Sequence, residues 1–288
     1  LVVDSPLGIA APNDGWESNQ AGKASRYLSA GRTIEFRDPG GAVQNTGDTN
    51  GTVISSIAHA TQTLTVDDLP TNLSDDDEVF FDGEFDGTNT GVTGSYTIMG
   101  LAGIVDDGTL VGTFQNISRS TYDKWDATVD SNSGDLRPYD LQLLDEMATS
   151  IDEASGIDMG GDDYVLLGHR TVTSQVARDS LAANRGGIGN SKSGYSSGAQ
   201  VAVGSGYMRC EHDVDCLPNR LYVLNKKKLD RWVAEPLNWD SNSGNVLQAT
   251  GGADRTAEDT FRAYLRCQDN FGTMQPNAHG VITDIATM

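Results

Sequence analysis

Cysteine is scarce in this chain: three residues, Cys210, Cys216 and Cys267, among 288. So sparse and odd a set excludes a disulfide scaffold and fits a reduced, cytosolic origin, with a Cys210 to Cys216 bridge left open. Long apolar runs are missing too. None approaches the ~20 residues that a helix needs to cross a bilayer, and the start of the chain lacks the basic-then-apolar order of a signal peptide. No membrane partner is expected. Basic residues are in deficit, 20 Lys and Arg against 41 Asp and Glu, for a formal charge of −21. That balance excludes a protein that grips nucleic acid by neutralising phosphates, because the net electrostatic term is repulsive. The chain opens at Leu1 rather than at an initiator Met, and a preceding N-terminal portion is expected.

What is present is a series of short apolar runs separated by turn residues. Residues 1–30 hold Pro6, Gly8, Pro12, Asn13, Asp14 and Gly15 and read as an extended entry segment. From residue 31 the runs become β-like: Thr33 to Phe36 alternates, Thr52 to Ile57 is β-branched, Thr63 to Val66 alternates again, and Val79-Phe80-Phe81 closes the series. These predict a small antiparallel β-module over residues 31–85, followed by a Gly-rich exit with a linker at 86–95. Tyr96 to Phe114 reads as strand, turn, strand. A helix is predicted from Asp140, because Leu141, Leu144, Ala148 and Ile151 follow three- and four-residue spacing and Gly156 supplies a stop. Tyr164 to Leu167 reads as a short buried strand, and Val172 to Asn184 as a second helix. Gly186 to Gly206, rich in Gly and Ser, reads as a mobile loop, although Ala199 to Val203 within it is strand-like. Further strands are predicted at Arg220 to Leu224, Val246 to Gln248, Thr260 to Cys267 and Gly280 to Ile285. The predicted class is α+β. Asp130-Ser131-Asn132-Ser133-Gly134 recurs as Asp240-Ser241-Asn242-Ser243-Gly244, and both copies read as Asx-type turns ending in a glycine of positive φ.

Few residues form a recognisable catalytic or ligand-binding pattern. Gly194-Tyr195-Ser196-Ser197-Gly198 matches a nucleophile elbow, with Asp240 and His279 following in the order of a hydrolase triad. The elbow requires a strand-to-helix turn, whereas Ser196 is flanked by polar residues and then a strand-like run. Lys192-Ser193 after several glycines lacks the glycine directly before lysine that a phosphate loop needs. Cys210, His212 and Cys216, with Cys267 as a fourth, are the right inventory for a structural zinc but not at a common zinc spacing. Asp75 to Glu78 and Asp82 to Asp86 lack the register of a calcium loop. His59 and His169 have no acid and nucleophile in a recognisable constellation. No enzyme and no cofactor is expected. Lys226-Lys227-Lys228, a basic cluster on so acidic a chain, is a candidate contact with a neighbouring copy; its alternative is a solvated helix start.

Several ordered segments resemble a known family. Met99-Gly100-Leu101 through Asp107-Gly108, Asn116-Ile117-Ser118-Arg119 with Trp125, the helix at Leu141 to Ile151 followed by Asp163 to Leu167, then Leu221 to Asn225, Phe261 to Cys267 and Asn277 to Ile282 are together similar to the major capsid protein of a tailed bacteriophage. The resemblance spans roughly residues 96–285 and implies the Hong Kong 97 fold, with a peripheral and an axial domain. It implies peripheral-domain strands at 96–136, a mainly axial domain with helices and the Gly/Ser-rich loop at 137–259, and closing peripheral strands at 260–288, with residues 31–85 as an inserted β-module. The implied function is an icosahedral capsid subunit that self-assembles into pentamers and hexamers around double-stranded DNA. The acidic balance suits a container wall that must not adhere to its DNA. Implied partners are further copies of the chain, scaffold, portal and decoration proteins, and DNA only non-specifically, in a virion capsid assembled in the host cytoplasm. The chain departs from the family before Leu1, where no arm, extended loop or spine helix is found. A phage tail, fibre or adhesin module and a serine hydrolase using Ser196 are the alternatives.

Overall fold

The computed structural model describes residues 28–38, 44, 52–58, 63–74, 77–82, 99–157, 159, 163–183, 199–203, 206–217, 219–241, 246–249 and 261–286. Strands and helices are mixed, as the α+β expectation has it. Thr33–Arg37 (β1), Thr52–Ala58 (β2), Thr63–Val66 (β3) and Glu78–Phe81 (β4) form one antiparallel sheet in the order β3-β2-β1-β4. Period-two alternation puts Ile34, Phe36, Ile54 and Leu64 on one face, where they form a core of their own with Val66, Val79 and Phe81 against it.

The larger sheet contains six strands: Thr128–Asp130 (β7), Tyr164–Gly168 (β8), Ala199–Val203 (β9), Gly206–His212 (β10), Leu221–Asn225 (β11) and Gly280–Ile282 (β16), in the order β7-β16-β11-β8-β10-β9. It draws strands from the spans 96–136, 137–259 and 260–288 alike. Every residue of β11 is buried, because this central strand is covered on both faces. On one face Leu166, Met208, Leu221, Val223 and Ile282 pack with the helices Leu141–Ser155 (α2) and Arg170–Ala183 (α3). On the other, Val165, Leu167, Tyr222, Leu224 and Val281 pack with Ile104, Val111, Phe114 and Ala127.

Helix α2 forms as its sequence dictates. Asp140 caps it by accepting from the Gln142 N–H, Leu144, Met147, Ala148 and Ile151 turn inward, and Gly156 ends it at φ 67°. Each of the large apolar side chains contributes about 1.5–3 kcal/mol by burial. The helix lies so close to β16 that a Cβ on Gly280 would stand 2.5 Å from Met147 Sδ and 2.8 Å from Ile151 Cδ1.

Four local expectations change. The segment predicted as strand, turn, strand instead holds a single helical turn, Leu101–Ile104 (α1), and a two-residue strand, Thr113–Phe114 (β5), paired with Ile117–Ser118 (β6). Leu101 and Ile104 share a helical face, and Gly103 admits Met99 and Val111 against it at 3.0 and 3.2 Å from where a Cβ would be. The β5–β6 turn takes positive φ at Gln115 and Asn116, as a two-residue hairpin turn of this twist requires. Second, Lys226 to Lys228 begin no helix: they turn from β11 into Leu229–Trp239 (β12), a strand of 11 residues. Pro236 conceals β12 in the sequence, since proline in a strand interior is confined to edges and bulges. Here β12 is half of a two-stranded ribbon with Leu265–Thr273 (β15), and its register shifts between Val233 and Glu235 and again between Glu235 and Asn238, the interval that holds Pro236. Third, the run expected from Thr260 to Cys267 is divided into Phe261–Arg262 (β14), paired with Gln248–Ala249 (β13), and β15. Fourth, the far end of the Gly186 to Gly206 loop is strand β9, hydrogen-bonded along β10. Residues 186–198 of that loop, with Ser196, lie outside the described residues, as do His59 and most of the second Asp-Ser-Asn-Ser-Gly copy.

Candidate assembly surfaces

The segment from Met99 to Trp125, which carries much of the family resemblance, folds around one buried ion pair. Arg119 is 1% exposed and Asp106 3%. Their side chains meet at 2.9 Å, and Arg119 Nη2 donates to the carbonyls of Gly103 and Ile104 at 3.1 and 3.0 Å, satisfying the open end of α1. Asp106 also accepts from the amides of Gly108, Leu110 and Val111 at 3.0, 3.1 and 2.9 Å. The Arg119 guanidinium lies 5.2 Å from the centre of the Phe114 ring, and Trp125 Nε1 donates to the Phe114 carbonyl. Burial lowers the Arg119 pKa against the opposing attraction of Asp106. Burial likewise raises the neighbouring Asp126, and Arg119 opposes that shift. The pair ties α1 to the turn at 106–111 and holds this segment's shape, although Arg119 Nε is buried without a hydrogen-bond partner. Spacing along the chain did not reveal it, because thirteen residues separate the partners.

A second polar centre pins the first Asp-Ser-Asn-Ser-Gly turn from far along the chain. Asp284 accepts from the amides of Asn132 and Gly134 and from the Ser131 hydroxyl. Burial raises its pKa, but these bonds outweigh burial and leave it lowered. Ser133 and Gly134 both take positive φ. The expected glycine is there, but the carboxylate that organises the turn belongs to another strand end.

The hydrolase alternative finds its two described members occupied elsewhere. His279 is fully buried, its Nδ1 accepts from the Asn225 amide at 3.1 Å, and its Nε2 lies 3.1 Å from Thr273 Oγ1. Because Nδ1 accepts from a backbone N–H, the neutral ring carries its proton on Nε2 and donates it to Thr273 Oγ1, which also accepts from the Gln275 amide. Burial pushes the His279 pKa down to about 4. Asp240 pairs instead with Arg266 at 3.1 Å.

The four zinc candidates are dispersed. Cys210 is buried in the core beneath α2 and α3, where burial pushes its thiol up to about 12. Cys216 is buried in the other core, Cys267 is exposed on β15, and His212 is exposed at the end of β10. The three thiols are free, and among the described residues no group of three or more His, Cys, Asp or Glu is placed to hold a metal.

The β12–β15 ribbon leaves several large apolar side chains in water. Val233, Leu237, Trp239 and Leu265 are 48%, 66%, 52% and 53% exposed. Trp239 stands opposite Leu265, and side-chain alternation places Leu237 on that same face. Two-stranded ribbons are marginal on their own in water. The Arg231–Asp269 and Arg266–Asp240 pairs brace it at its two ends. At its base the three lysines form a tight turn: Lys227 pairs with Asp163 at 2.8 Å while remaining 72% exposed, Lys226 is exposed and Lys228 half-buried.

No protein-family model matches the chain, and no curated protein matches it. Among solved structures it is similar to a chain of the cyanophage A-1(L) capsid asymmetric unit, at 17% identity and a TM-score of 0.48, over 66% of this chain and 61% of that one. A second similar structure is a virus-like particle from Pyrococcus furiosus, at 13% identity and a TM-score of 0.27, over 54% of each chain. The chain thus spans less than two thirds of the length of either.

Proposed function

We propose that this chain is a structural, non-enzymatic subunit of a tailed-bacteriophage capsid of the Hong Kong 97 type, one that forms pentamers and hexamers closing into an icosahedral shell around double-stranded DNA. The observation that carries the self-association is the β12–β15 ribbon, whose exposed Leu237, Trp239 and Leu265 form an apolar face that the subunit leaves in water. Contiguous apolar surface of this kind marks an interaction site. The capsid identity is supported by the ordered landmarks between residues 96 and 285. Three of these, the Asp106–Arg119 segment, helix α2 and strand β11, pack around one sheet. The excess of acidic residues supports a wall that does not bind its cargo tightly. Lys226 to Lys228 add a basic patch that a neighbouring acidic surface would attract, with scaffold, portal and decoration proteins as further partners.

The test is expression of the full-length gene product together with its scaffold, followed by light scattering and electron microscopy. Closed particles of uniform size are expected. A product that stays monomeric at high concentration overturns the shell reading. A rod-shaped or trimeric product would point instead to a tail or fibre protein.

A further inference from the structure

The β12–β15 ribbon has two long outer edges, and they differ. Among the described strands each has only the other as a neighbour, so neither outer edge has a ladder partner. Along β12 that edge is interrupted. Between Val233 and Asn238 two extra residues stand on β12 against β15, one at each register shift, and Pro236 lies in the second interval with no N–H to offer. Bulges and proline are devices by which sheets keep an edge from being paired. Strand β15 carries neither. Its nine residues, Leu265–Thr273, run without proline and without an extra residue.

Two asparagines show which way the backbone groups of β15 point. Asn270 Oδ1 accepts from the Phe271 amide at 2.8 Å, and Asn238 Oδ1 accepts from the Trp239 amide at 2.9 Å. Phe271 stands opposite Arg231, and Trp239 opposite Leu265. An amide engaged by the side chain before it points away from the facing strand, so both are non-hydrogen-bonded pairs of the ladder. Period-two alternation then turns the N–H and C=O of Leu265, Cys267, Asp269 and Phe271 toward the outer edge. Residues 264–268 and 270 are exposed and Asp269 is half-buried, whereas Gly272 and Thr273 are buried at the ribbon's base. The open stretch is therefore 264–270, with Cys267 at its centre.

We infer that the free edge of β15 pairs with the same edge of a second copy, antiparallel about a two-fold axis at Cys267, to give one four-stranded sheet in the order β12-β15-β15-β12. This pairing rests on the self-association proposed above and names the backbone that performs it. Outward residues must meet outward residues, which sets the axis on a residue rather than between two. Centred on Cys267, the exposed stretch faces itself: Tyr264 meets the partner's Asn270, Arg266 meets the partner's Gln268, and no like charges are opposed. A second copy fits because isologous pairing uses one surface twice and needs no other complementary patch. A chain of charge −21 repels its own copies over most of its surface, but Leu265–Thr273 holds one Arg and one Asp and no net charge. The apolar face of Leu237, Trp239 and Leu265 continues across the seam on one side of the joined sheet. Four strands sharing such a face exceed the three that independent stability requires.

The full chain carries its own reporter, since Cys267 is exposed while Cys210 and Cys216 are buried. A short bis-maleimide added to the self-associated protein should link Cys267 to the partner's Cys267. Moving the thiol, by Cys267→Ser with Asn270→Cys, sets the two thiols about 20 Å apart in the same pairing, and linked dimer should fall by roughly tenfold or more. In hydrogen exchange the Cys267 and Asp269 amides should be roughly tenfold or more better protected in the assembly than in dilute monomer. Cys267→Pro deletes an outward N–H and none that faces β12, and should weaken association by roughly tenfold or more, against less than about twofold for Cys267→Ser. Assemblies that form by light scattering yet give no Cys267 link overturn the edge pairing and leave the shell reading standing. So do equal linking from both thiol positions and undiminished association of Cys267→Pro. Full protection of these amides in the monomer also overturns it, because the edge would then be covered by its own chain. A product that stays monomeric at high concentration overturns both.

Discussion

Replacing His279 with glutamine should remove a specific part of the protein's acid sensitivity. The imidazole is buried and neutral, bonded to the Asn225 amide and Thr273 hydroxyl, with a pKa of about 4 against an ordinary 6.5. Because the folded value is the lower one, the unfolded chain binds the extra proton between these two pH values. The histidine's contribution is therefore complete above about pH 6.5 and is lost progressively as pH falls toward 4. The gap corresponds to roughly 3 kcal/mol in full and to roughly 2.5 kcal/mol by pH 4.5. Carboxylates titrate over the same range, so the informative quantity is the difference between wild type and His279→Gln. Urea unfolding of both proteins at pH 7 and pH 4.5 supplies it. At pH 7 the variant should be less stable by about 1–3 kcal/mol, because it disturbs a buried hydrogen-bond pair. At pH 4.5 most of that disadvantage should vanish or reverse, a change of about 2.5 kcal/mol. Parallel stability profiles for the two proteins would show that the ring is not held neutral by burial.

Three further outcomes are expected. Asp106→Ala strands the Arg119 guanidinium and three backbone amides, and should cost about 3–5 kcal/mol in urea unfolding; a loss below about 1 kcal/mol would mean that the buried pair holds little together. Gly280→Ala forces a Cβ toward Met147 and Ile151 and should destabilise by about 1–3 kcal/mol through overpacking of α2 on β16, which thermal unfolding can check. Leu237→Ser with Trp239→Ser alters exposed positions, so subunit stability should change by no more than about 0.5 kcal/mol per site while particle yield falls sharply; unaltered yield by electron microscopy would remove the ribbon from the assembly surface.

The local sequence determined those elements whose period and end signals lie within a few residues of one another. Helix α2 is the clearest: Asp140, the Leu144 to Ile151 stripe and Gly156 are cap, face and stop in one stretch. The alternating strands β1 and β3 and the apolar β11 are legible for the same reason. Composition likewise excluded a disulfide framework and an apolar helix long enough to span a membrane. Tertiary structure decided whatever depends on partners distant in the chain. Strand β12 was concealed by Pro236 because its pairing with β15 tolerates proline at a bulge, and a bulge exists only between two strands. The Asp106–Arg119 pair, the hold of Asp284 on the 130–134 turn and the neutral state of His279 all arise from burial and from hydrogen bonds between remote segments. Sequence spacing could not show that His169 and His212 flank one cleft, nor that Cys210 and Cys216 belong to separate cores. Local propensity fixes where the backbone bends and repeats. Only packing fixes which side chains meet and which lose their water.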